Sequence, residues 1–230
     1  MQSSCWCLLK PLAAACARCV IRSLTGSWKG ARPGSCSDVS GELRVFCLEG
    51  DWRPDLTART ESVRSLLGLM EQAGRVRAVY RDIGTVEELK HYVAIWLDQK
   101  RYANHRFGWF AFHGSPGYLH IGRRRFSLEQ LGEEVFGRGA CAGKTIYFAS
   151  CETIAVDEKE LADFRALVGA PIVCGFTEKV DWLEAAAFEL LLLKTLGDYQ
   201  TRTADALKLI HREHGALADR LGFHSDPPWR

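Results

Sequence analysis

The sequence predicts an α/β fold in three layers, with a mostly parallel sheet between two layers of helices. Three observations carry this. Short apolar runs alternate along the chain with longer stretches whose apolar residues recur every three or four positions, the pattern of strands alternating with amphipathic helices. Runs such as Phe107–Phe112 (FGWFAF) and Lys144–Ala149 (KTIYFA) are almost continuously apolar, as strands covered on both faces require. No stretch reaches the roughly 18 consecutive apolar residues of a membrane span.

The elements follow in order. Arg44–Glu49 (RVFCLE) is a first strand, ended by Gly50. Thr60–Ala73 carries Val63, Leu66, Leu67 and Met70 at helical spacing and stops at Gly74. Arg75–Ile83 alternates and reads as a second strand. Thr85 then precedes a helix over Val86–Leu97, with Leu89, Val93 and Leu97 on one stripe. Phe107–Phe112 is the third strand. Tyr118–Ile121 and Arg125–Phe126 flank Gly122 as a small hairpin, with Arg123, Arg124 and Arg125 at its solvated tip and His120 exposed. Ser127 and Gln130 have the spacing of a capping box that opens a short helix. Its acids Glu129, Glu133 and Glu134 read as a solvated face.

Lys144–Ala149 is the fourth strand, Glu158–Val168 a helix and Pro171–Phe176 the fifth strand. Helices over Asp181–Leu196 and Thr203–Leu221 close the domain. The Leu190–Leu193 run makes the first of them apolar nearly all round, so it should be buried. The folded domain therefore spans 42–222, and 223–230 reads as a short C-terminal tail.

Residues 1–41 differ in kind. They hold five basic residues (Lys10, Arg18, Arg22, Lys29, Arg32) against one acid, Asp38, and five of the nine cysteines. The segment reads as disordered, as a targeting sequence or as a misassigned start. Cys16 and Cys19 have zinc-knuckle spacing, but no second pair follows.

Composition narrows the function. Over 230 residues, apolar types make up 47% and charged types 25%, with a net charge of +2. This excludes wholesale disorder and fibrous repeats, and it makes no electrostatic case for nucleic acid or an anionic membrane. The odd number of cysteines, with Cys47 and Cys174 inside apolar runs, points to a reducing, cytoplasmic compartment. Cys141, between Gly139 and Gly143, reads as an incidental loop residue. No Walker-type or dinucleotide glycine motif follows a strand, so no cofactor is expected. His211 and His214 lack a third ligand, so no metal is expected.

In open α/β sheets active groups gather beyond the carboxyl ends of the strands. After the third strand comes Phe112-His113-Gly114, and after the fourth comes Ala149-Ser150-Cys151-Glu152-Thr153. If these strands are neighbours, about 4.8 Å apart, an imidazole and a thiol face each other across one ridge. The imidazole can take the thiol proton, or as imidazolium stabilise the thiolate. Gly114 N–H and Cys151 N–H would form an oxyanion hole, worth roughly 3–4 kcal/mol per donor. The residues alone leave a second reading open, a structural His and a small buried Cys.

The two motifs, their order and their strand-end placement resemble the caspase-like cysteine peptidases, most closely the CHAT branch related to separase. Val180-Asp181-Trp182 with Ala185 and Phe188 is similar to a further pattern of that branch. The resemblance covers about residues 42–200. One departure stands out: Ile154 and Ala155 occupy positions where that family carries glycine.

The resemblance implies His113 as general base, Cys151 as nucleophile, and Gly114 with Cys151 as oxyanion donors. It implies a hydrolase, a thiol protease with a His/Cys dyad, that cleaves protein or peptide substrates and is regulated, with room for an activating protein partner. Such folds select the residue before the scissile bond with a charged pocket. Here the corresponding loops supply Glu49, Asp51, Glu152, Glu178 and Asp181 against Arg53 and Lys179. Cleavage after basic residues is therefore expected, with Asp51, Glu152 and Asp181 binding substrate. Asp181 equally suits the cap of the helix beginning at Trp182. The alternative function is a non-catalytic module of the same fold that binds a partner protein.

Overall fold

The computed structural model describes residues 41–52 and 62–229. The expectations for residues 1–40 and for Arg53 lie outside this range. The strands are β1 (Leu43–Gly50), β2 (Val76–Ile83), β3 (Phe107–Ala111), β4 (Gly114–Ser115), β5 (Tyr118–Ile121), β6 (Arg124–Ser127), β7 (Thr145–Phe148), β8 (Ile172–Phe176) and β9 (Phe223–Asp226). The helices are α1 (Arg64–Gln72), α2 (Val86–Asp98), α3 (Leu128–Leu131), α4 (Glu158–Val168), α5 (Trp182–Tyr199) and α6 (Thr203–Arg220). A main sheet runs β2-β1-β3-β7-β8-β9, parallel except for β9, and β4-β5-β6 form a small antiparallel sheet.

The strand sequences explain why there are three layers. Alternate residues point to opposite faces, and in the central strands both sets are apolar. Val45, Cys47, Phe107, Trp109, Ala111, Tyr147, Cys174 and Phe176 join one core with α1, α5 and α6. Phe46, Leu48, Phe110, Phe112, Ile146, Phe148 and Val173 join a second core with α2, α3, α4 and the small sheet. Each fully buried aromatic contributes about 2–3 kcal/mol of transfer free energy. Gly108 in β3 clears space for one of them, because a Cβ there would lie 2.4 Å from the Trp96 ring.

The helix ends follow their cap chemistry. Thr85 and Glu88 form a reciprocal capping box that starts α2, and Ser127 with Gln130 does the same for α3. Beyond α3 the chain continues as one π-helical turn, Gly132–Phe136. Asp157 caps α4, which ends at Gly169 in the left-handed conformation. Within α6 the backbone departs from helical geometry at His214, with φ −131° and ψ 26°.

Three expectations are corrected. Residues 223–230 are not merely a tail, because Phe223–Asp226 pair antiparallel with β8. Phe223 and Ser225 point inward, and Trp229 stacks on Phe223 at 5.6 Å. The run FHSD is short and half polar, so it shows no apolar stretch, and burial on alternate residues is enough at a sheet edge. Cys141 is fully buried, its N–H donating to Val168 C=O at 2.8 Å, and burial raises its thiol pKa. His120 is half-buried, its ring bonded to Ser115 Oγ at 2.8 Å. Burial and the nearby Arg125 and His113 lower its pKa.

Among the described residues no helix is long and apolar enough to cross a membrane. Among the same residues no three His, Cys, Asp or Glu side chains gather as a metal site.

Candidate active site

β3 and β7 are adjacent and parallel, with Phe110 opposite Phe148. The ladder runs past the strand ends, Ala149 N–H donating to Phe110 C=O at 2.9 Å. His113 follows β3 by two residues and Cys151 follows β7 by three, so both come just after neighbouring strand ends. His113 is exposed and Cys151 half-buried, so both side chains are accessible at the carboxyl edge of the sheet.

Two further features tie the motifs together. A Cβ on Gly114 would lie 2.2 Å from Cys151 C=O oxygen and 2.3 Å from Thr153 Oγ1. Only glycine permits so close an approach. His120 N–H donates to His113 C=O at 2.8 Å. In an antiparallel pair this makes Gly114 and Leu119 non-hydrogen-bonded partners, so Gly114 N–H points away from β5. It is thereby free of the small sheet's ladder, as an oxyanion donor must be.

The turn after Cys151 is stitched to the hairpin. Glu152 takes φ +56°, a left-handed conformation unusual for a side chain of this size. Its carbonyl accepts from Gly117 N–H at 3.2 Å and Ala155 N–H at 2.9 Å. Ser150 Oγ donates to Thr153 Oγ1 at 2.7 Å, and Thr153 Oγ1 donates to Tyr118 C=O at 3.2 Å. Where the resembled family carries glycine, Ile154 is fully buried. The left-handed turn is made two residues earlier, at Glu152.

The His113 ring is held by the chain just past β1. Its Nε2 lies 2.7 Å from Trp52 C=O. A carbonyl only accepts, so Nε2 carries the hydrogen and Nδ1 is left as the basic nitrogen. The Trp52 indole also stands edge-on to the imidazole, with centroids 5.1 Å apart at 80°.

The expected substrate-binding acids separate. Asp51 is exposed after β1, its Oδ2 3.8 Å from the Cβ position of Gly84. Glu152 is half-buried beside Cys151. Asp181 caps α5, its Oδ1 accepting from Leu183 N–H at 2.9 Å and Glu184 N–H at 3.1 Å. β1 adjoins β3 and β8 adjoins β7, so Asp51 follows the strand on one side of this pair and Asp181 comes after the strand on the other.

Glu49 does not belong with the pocket acids. It is 2% exposed and engaged by four donors. Oε1 accepts from Trp52 Nε1–H at 2.5 Å and Val63 N–H at 3.0 Å. Oε2 accepts from Ser62 O–H at 2.7 Å and Tyr80 O–H at 2.5 Å. Sequence reasoning missed this arrangement and the Trp52 carbonyl. A signal for Glu49 existed, since it falls in phase with buried Val45 and Cys47. A backbone carbonyl carries no side-chain signature at all.

Residues 42–225 match DUF6642, a family of unknown function, and the chain belongs to that family. No curated protein matches the chain.

Proposed function

We propose that this member of DUF6642 is a cysteine peptidase of caspase-like, CHAT-like type, working through a His113/Cys151 dyad. The observation that supports the reading is the adjacency of the parallel strands β3 and β7, whose carboxyl ends lead into the exposed His113 and the half-buried Cys151. The chemistry follows from the groups present. His113 Nδ1 takes the Cys151 Sγ proton, and the thiolate attacks the scissile carbonyl. Gly114 N–H and Cys151 N–H receive the developing oxyanion. The imidazolium returns the proton to the leaving amine, and water, deprotonated by His113, hydrolyses the thioester and frees the thiol.

Asp51 and Glu152, both carboxylates near these strand ends, support cleavage after Arg or Lys. Asp181 is committed through Oδ1 to its helix cap, so its selector role in this reading falls to Oδ2. The free, buried thiols of Cys47, Cys141 and Cys174 support a reducing, cytoplasmic setting.

A fluorogenic peptide panel on wild type, Cys151→Ala and His113→Ala tests the reading. Turnover should vanish in Cys151→Ala and fall roughly 10²–10⁴-fold in His113→Ala. Peptides with Arg or Lys before the bond should be preferred. Activity persisting in Cys151→Ala would overturn the nucleophile. Absence of turnover across the panel would favour a non-catalytic partner-binding module.

A further inference from the structure

Building on the peptidase reading, we propose that Glu49 is a positioning residue for the catalytic imidazole and acts through Trp52. Trp52 touches His113 twice, by its carbonyl on Nε2–H at 2.7 Å and by its ring at 5.1 Å. The imidazole is exposed, so little else limits its rotation. Trp52 packs in part against the core, and among the described residues its side chain has one polar anchor, the 2.5 Å bond from its indole N–H to Glu49 Oε1. Glu49 in turn is immobilised from three segments: the chain just past β1, the start of α1 through Ser62 and Val63, and β2 through Tyr80.

The path from Glu49 to His113 is therefore made of direct contacts. A carboxylate has about four lone-pair sites, and all four are used. Val63 N–H and Trp52 Nε1–H share Oε1, so the residue that orients the imidazole and the first turn of α1 are gripped by the same oxygen. Such a clamp holds the ring in the one orientation that presents Nδ1 as base, and orientation of the base is a recognised part of dyad and triad catalysis. Neither Glu49 nor Trp52 touches a substrate in this scheme. Their effect should appear in the ionisation of the dyad.

The test uses the full chain and iodoacetamide as the probe, with the alkylation rate of Cys151 followed by peptide mass spectrometry from pH 5 to 10. A thiol coupled to an imidazole reacts well below the ordinary thiol inflection near pH 8.5. His113→Ala should remove that low-pH reactivity. Glu49→Gln and Trp52→Phe should each slow alkylation at pH 6.5 by about tenfold and move the inflection toward that of a free thiol. Tyr80→Phe, which removes one of the other three donors, should change the rate less than about twofold.

A purely structural role would lower the thermal midpoint and leave the inflection in place. If Glu49→Gln does not fold, Trp52→Phe decides, since it keeps an aromatic ring and the backbone carbonyl on His113 while removing the anchoring N–H together with part of the indole. Profiles of Trp52→Phe and Glu49→Gln that superimpose on wild type, with His113→Ala shifted, would overturn the positioning role and leave the dyad standing. Superposition of wild type and His113→Ala would overturn the dyad, and the positioning role with it.

Discussion

Two buried carboxyl groups enter the same side of the sheet, and they are provided for differently. Glu49 lies near the end of β1 and Glu189 inside α5; they are 2% and 4% exposed. Glu49 meets four donors. Among the described residues Glu189 meets one, the Tyr147 hydroxyl at 2.7 Å. Burial pushes the Glu189 carboxyl up to about 8, with the Tyr147 bond opposing and the charge of Glu49 adding. Cys47 lies near both, and its thiol is raised by burial first and then by Glu49 and Glu189. The contrast shows that burial alone does not define what a carboxyl does. A rich donor set makes Glu49 a rigid junction beside the candidate site. A poor one makes Glu189 a titrating group inside the core.

The largest effect should come from emptying the junction. Glu49→Ala strands buried donors from three segments, at a cost of about 1–3 kcal/mol for each that water cannot reach. A loss of at least about 3 kcal/mol is expected by urea denaturation. A loss under about 1 kcal/mol would mean that the donors find other partners and that the junction is not rigid.

Next comes the pH response of Glu189. Its folded pKa, about 8, lies above the ordinary 4.5. The stability linked to its proton is therefore complete below about pH 4.5 and is lost as pH rises through 8. Glu189→Gln should flatten that decline and raise stability at pH 8 by about 1–3 kcal/mol over wild type. Parallel stability curves for the two proteins between pH 5 and 8 would break the comparison.

The donors themselves sharpen it further. Tyr147→Phe removes the one hydrogen-bond partner of Glu189 among the described residues and should cost about 1–1.5 kcal/mol while moving the Glu189 titration upward. Tyr80→Phe removes one donor of four and should cost less, about 0.5–1 kcal/mol. The Tyr80 phenol, its own pKa raised by burial and by Asp82 and Glu49, has a single hydrogen. It lies 2.5 Å from Glu49 and 2.6 Å from Asp82, so part of its bond is already spent elsewhere. Equal losses in the two variants, read from denaturant midpoints, would show that donor number does not matter.

The layered fold was legible because its strands are apolar on both faces and its helices carry capping pairs such as Thr85 with Glu88. The adjacency of the strands that precede His113 and Cys151 was legible from the apolar runs and the crossover between them. β9 was not, because an edge strand buries one face and Phe223–Asp226 offers two inward residues. The two-residue strand β4 is too short to show any period. The Tyr147–Glu189 pair spans 42 positions and depends on how α5 lies across the sheet, which no local pattern encodes. Trp52 orients His113 through an atom that every residue possesses.

The left-handed turn at Glu152 has a consequence for directed evolution. That conformation costs a non-glycine residue about 1–2 kcal/mol, and Glu152 adopts it with φ +56° immediately after the candidate nucleophile. A selection for thermal tolerance alone would therefore favour Glu152→Gly. The same replacement would loosen the segment that carries Cys151 and delete the acid beside it. Stability and activity are opposed at this one position, and libraries ranked by melting temperature would drift toward hardier chains with a less ordered cleft.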